Sequence, residues 1–70
     1  MSINIISIGI PGVPDSEMKL TFGSNVSASR IVSFVKRNAQ IREDYGLISN
    51  SEASEMINQT EDKLKRLNVA

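Results

Sequence analysis

The chain has no cysteine, no histidine and no tryptophan, and its aromatic residues amount to 4% (Phe22, Phe34 and Tyr45). Each absence removes a class of function. Without cysteine there is no disulfide framework, and without either cysteine or histidine the usual nitrogen and sulfur ligands of zinc and related metals are missing. The same two gaps remove the common nucleophile–base pairs of hydrolytic and transfer enzymes. So few aromatics do not make a stacking platform for single-stranded nucleic acid. Hydrophobic runs are short, well below the roughly 20 residues that span a bilayer, and the start of the chain lacks the basic and small-residue features of a secretory signal. With no targeting feature and no cysteine, the expected compartment is the cytoplasm.

What is present fits one small domain. Seventy residues, 40% hydrophobic and 23% charged, with a formal net charge of zero, read as globular rather than disordered. A chain of this size buries only roughly 60% of its unfolded surface. Small domains offset that shortage with disulfides, metals or association, and association is the route left open here.

The opening run Ile3-Asn4-Ile5-Ile6-Ser7-Ile8-Gly9-Ile10 alternates imperfectly. As an extended strand it sends Ile6, Ile8 and Ile10 to one face and Ile3 and Ile5 to the other. A strand apolar on both faces needs cover on both. Pro11-Gly12 suits the centre of a type II turn, and Pro14 is expected to keep Pro11 to Ser16 out of regular sheet. Met18, Leu20 and Phe22 then alternate with Lys19 and Thr21, giving a second strand over Glu17–Phe22 and an antiparallel hairpin across residues 1–23.

Helix A is expected over residues 25–45, capped by Asn25 or Ser27. Ala28, Ile31, Val32, Phe34, Val35, Ala39, Ile41 and Tyr45 fall on one half of its wheel at roughly 100° per residue. Asn38 and Arg42 intrude on that half, which favours a helix stopping near Asn38 over one that holds Arg42 at an interface. Gly46 is a natural terminator if the helix reaches Tyr45. Helix B is expected over residues 49–68, opened by a Ser49/Glu52 capping box. Its stripe is Ala53, Met56, Ile57, Thr60, Leu64 and Leu67, with Glu61–Lys65 and Asp62–Arg66 as supporting pairs. The order is ββαα, an α+β fold: a hairpin packed by helix A with helix B alongside, its sheet extended by dimerisation or by a partner's strand.

Charge is segregated. Residues 25–42 carry only bases (Arg30, Lys36, Arg37, Arg42), and residues 43–62 carry only acids. Pairing of these blocks, within one chain or across a dimer, is the expectation. The glycines match no phosphate-binding loop, and the two Asn-X-Ser/Thr matches lie in a chain without secretory features.

These readings favour binding over catalysis, with no cofactor and no metal. The expected function is that of a non-enzymatic interaction module: an adaptor, inhibitor or accessory subunit whose partner is protein, either another copy or a different chain. Its expected contact residues are Ile3 and Ile5 on the second strand face, the loop Pro11, Gly12, Val13 and Pro14, and the basic helix residues Arg30, Lys36 and Arg37. Nucleic acid is the second choice of partner. The strand Met18–Phe22 followed by two helices resembles ribbon-helix-helix DNA-binding proteins, whose ribbon side chains enter the major groove. That resemblance implies Lys19 and Thr21 as base-facing residues and Ser49–Ala53 as a phosphate-facing helix start. The chain departs from it in having an extra strand, a long first helix and an acidic start to the second. The first forty residues are also similar in order to the hairpin–helix start of ubiquitin-like β-grasp domains, without the later strands.

Overall fold

A computed structural model describes residues 2–70 and shows an antiparallel two-stranded sheet followed by two helices. The elements are β1 (Ile3–Ile10), β2 (Val13–Gly23), α1 (Ala28–Asp44) and α2 (Asn50–Arg66). The α+β reading with ββαα order is therefore correct.

Strand register follows from residue parity. Asn4 faces Phe22, Ile6 faces Leu20 and Ile8 faces Met18, while Ile5 faces Thr21 and Ser7 faces Lys19. Even-numbered residues thus form one face, where Ile6, Ile8 and Leu20 are buried in the core. Gly12 takes φ +83°, a conformation open to glycine without strain, and the Pro11-Gly12 turn joins Ile10 directly to Val13.

The hairpin differs from expectation at Pro14. β2 begins at Val13 and includes that proline, because the pairing jumps from Ile8/Met18 to Ile10/Val13. The extra residues of β2 bulge off the ladder, where a missing N–H costs nothing. Ser16 fills the gap. Its buried hydroxyl accepts from the Ile10 N–H at 2.8 Å and donates to the Val13 carbonyl at 2.6 Å, replacing the lost strand-to-strand bonds.

Helix α1 starts at the Ser27 cap, whose hydroxyl accepts from the Arg30 N–H. It does not stop near Asn38 but continues to Asp44. Asn38 turns its amide back to the Phe34 carbonyl at 2.9 Å. Arg42 lies partly buried, with Nη1 shut away from solvent and without an acceptor among the described residues. The helix ends in a Schellman arrangement: Gly46 at φ +72° donates to Glu43 O, and Leu47 donates to Arg42 O. Helix α2 opens with the complete Ser49/Glu52 capping box and closes the same way as α1, with Asn68 at φ +57° donating to Lys65 O and Val69 donating to Leu64 O.

The helices also differ from expectation in their placement. α2, not α1, is the central element: it packs on both strands and on α1, whereas the principal neighbour of α1 is α2. Ala53, Met56, Thr60 and Leu64 form the buried stripe of α2. They meet Ile31, Val35 and Ala39 of α1, Ile6, Ile8 and Leu20 of the sheet, and Ile48 of the connecting segment in one core.

Candidate functional site

The surface features that stand out are apolar side chains without cover and one open strand edge. Both follow from the position of α2.

In an antiparallel ladder, closely bonded pairs alternate with pairs whose N–H and C=O groups point away from each other. Ser24 donates to Ser2 O at 3.1 Å, so the even-numbered pairs are the bonded ones. The backbone groups of Ser7 and Gly9 on β1, and of Lys19 and Thr21 on β2, therefore point outward. The two outer edges meet different fates. On β1, the Gly9 N–H donates to Gln59 Oε1 at 3.0 Å, and Gln59 Nε2 donates back to Gly9 O at 2.8 Å. One helical turn further, Lys63 Nζ donates to Ser7 O. Two side chains of α2 thus occupy the place of a neighbouring strand. On β2 no third strand follows, and the outward groups of Lys19 and Thr21 meet no protein partner among the described residues.

The odd-numbered face of the sheet is uncovered. Ile3 is 65% exposed and Ile5 57%, and Leu67 at the end of α2 lines a shallow cleft beside Ile5 with Lys63 and Arg66. Cross-strand from these isoleucines lie Gly23 and Thr21, and next along lies Lys19 opposite Ser7. A second apolar surface runs along α1. Phe34 is 51% exposed, Ile41 is 46% and Tyr45 is 78%, and these residues recur with helical spacing on one flank. Phe34 closes a groove of about 260 Å³ with Leu20, Phe22, Val26 and Ile31, opening at the β2 edge beside Thr21.

The residues singled out from sequence do not form one site. Ile3 and Ile5 lie at the open end of the hairpin, whereas Pro11–Pro14 sit at the turn, roughly 20 Å further along the strand. Arg30 and Arg37 lie within roughly 20° on the α1 wheel and flank the Phe34–Ile41 row. Lys36 is roughly 100° away, beside the α1–α2 cleft with Glu61 and Lys65. The acidic and basic blocks do not pair with each other within the chain. Among the described residues the salt bridge formed is Asp62–Arg66, at 3.2 Å on exposed α2. Sequence reasoning missed Ser16, Gln59 and Lys63. Gln59 carried a faint signal, since it borders the buried Thr60 on the apolar stripe of α2.

Among the described residues no group of three or more acidic, histidine or cysteine side chains is placed to hold a metal ion. Among the described residues no helix is long and apolar enough to cross a membrane. Comparison of the chain with protein-family models, with curated proteins and with solved structures finds no match.

Proposed function

We propose that this protein is a non-enzymatic interaction module of the cytoplasm that engages another protein through the outer face of its hairpin. One observation carries this reading. Ile3 and Ile5 stand side by side on a sheet face over which no element folds among the described residues, and Leu67 adjoins Ile5. Clustered apolar side chains on a small domain mark contact surfaces more often than isolated ones do. The bulk of β-branched isoleucine on an uncovered sheet face suits a partner with a complementary apolar patch.

The DNA-binding alternative has weaker support. Lys19 and Thr21 do project from the sheet, but they share their face with Ile3 and Ile5, an apolar neighbourhood for a phosphate-rich groove. At the start of α2, the Glu52 carboxylate accepts from the Ser49 N–H at 2.7 Å, placing negative charge where a phosphate would approach. The test is affinity capture with the full chain and with the pair of substitutions Ile3→Ser and Ile5→Ser, which leave the core face untouched. A protein retained by the parent and lost from the double variant is the expected result. Equal retention by both would remove the outer face from consideration, and salt-sensitive retention of the parent on random duplex DNA would favour the DNA-binding alternative over a protein partner.

A further inference from the structure

We infer that the open edge of β2 pairs antiparallel with the β2 edge of a second copy, making a closed dimer with a continuous sheet ordered β1-β2-β2-β1. This inference goes beyond the reading above, which concerns a different surface and a different protein.

The chemistry of the edge names the kind of occupant. The outward N–H and C=O groups of Lys19 and Thr21 have no protein partner among the described residues, and a strand supplies donors and acceptors at that spacing. The sequence of the edge names the second copy. With a two-fold axis at Leu20, Lys19 lies opposite Thr21 of the other copy and exchanges two backbone hydrogen bonds with it, and the symmetric pair does the same. On the core face Leu20 then meets Leu20, and Met18 meets Phe22, so every apolar residue of Met18–Phe22 finds an apolar counterpart. Shifting the axis to Lys19 would oppose two lysines, and shifting it to Thr21 would leave Met18 facing Ser24. Leu20 is the register in which the strand complements itself.

The rest of the molecule fits that arrangement. A strand beside β2 extends the sheet over the groove bounded by Phe34, Phe22 and Val26, covering apolar surface that the monomer leaves open. The bulge carrying Pro14 to Glu17 ends regular pairing on one side, and the turn after Gly23 ends it on the other. Gln59 and Lys63 block the β1 edge at Gly9 and Ser7. Each copy therefore offers one edge, and isologous pairing closes at two.

The experiment is sedimentation equilibrium across a wide concentration range, on the parent and on Thr21→Pro. This substitution removes an N–H that points away from β1, so the hairpin ladder is untouched. The parent is expected to show a concentration-dependent monomer–dimer equilibrium, and the proline variant to weaken dimerisation at least tenfold while keeping the parent's circular dichroism. Should the variant fail to fold, a second measurement decides. An equimolar mixture of Lys19→Cys and Thr21→Cys chains, oxidised in a background free of other cysteines, is expected to give mainly the mixed disulfide dimer. A parent that stays monomeric throughout, a dimer indifferent to Thr21→Pro, or the absence of mixed crosslinks would overturn the inference. Dimerisation lost with Ile3→Ser and Ile5→Ser but kept with Thr21→Pro would assign self-association to the outer face instead. Loss of a foreign partner from the isoleucine variant, with the dimer intact, would separate the two readings.

Discussion

The two helices have the same length, 17 residues each, yet they are used differently. Helix α2 presents a narrow apolar stripe, of which Ala53, Met56, Thr60 and Leu64 are buried and Ile57 is partly so. Even its polar flank is engaged, through Gln59 and Lys63 on β1. Helix α1 has apolar residues over half its circumference but buries only Ile31, Val35 and Ala39 fully, leaving Phe34, Ile41 and Tyr45 in solvent. A wide apolar sector therefore does not identify the central helix of a small domain. A narrow stripe with neighbours on both sides does, and the surplus on α1 is surface left for something else.

That contrast can be broken by substitution. The largest effect is expected at Met56, which is fully buried in the core shared by α2, α1 and the sheet. Met56→Ala should cost about 2–5 kcal/mol, a large share of the stability of so small a domain, read as a lower midpoint in denaturant unfolding. Val35 of α1 is equally buried, and Val35→Ala should cost about 2 kcal/mol. If the valine variant proved the weaker of the two proteins, α2 would lose its central role. An intermediate effect is expected for Gln59→Ala. It strands the N–H and C=O of Gly9 and should cost about 1–2 kcal/mol, with faster hydrogen exchange confined to the Gly9 amide and its neighbours. Uniform acceleration across the sheet would mean that the side chain supports the whole core instead. The smallest effect belongs to Tyr45→Ser, expected within about 0.5 kcal/mol of the parent in the same unfolding measurement. A larger loss would show that the outer row of α1 is already covered.

Much of the architecture was legible in the residues. The alternation Met18-Lys19-Leu20-Thr21-Phe22 marked β2 and the Ser49/Glu52 spacing marked the start of α2, because each rests on a local rule of backbone geometry; Gly46 was a terminator only on condition that α1 passed Asn38, which it does. Pro14 misled because a proline off the ladder loses no bond, and only the three-dimensional register reveals that it is off. Arg42 misled because its long aliphatic stem can lie on an apolar flank while the helix runs on. The order of packing was not legible at all, since a helical wheel shows which side chains are apolar and not which of them a neighbour covers. Of the candidate surface, the exposed isoleucines followed directly from alternation. The unequal edges of the hairpin did not, because the residues that cap β1 come from a helix fifty positions away in the chain.

The amide of Gln59 acts as a stopper as well as a brace. If a thermal excursion lifts α2 from β1, it strips the lock from Gly9 and Ser7 and bares the second margin of a hairpin whose first is already free. A molecule with both margins exposed can add copies without end, so its route into cross-β fibres should open with detachment of this helix and the loss of the core it holds together.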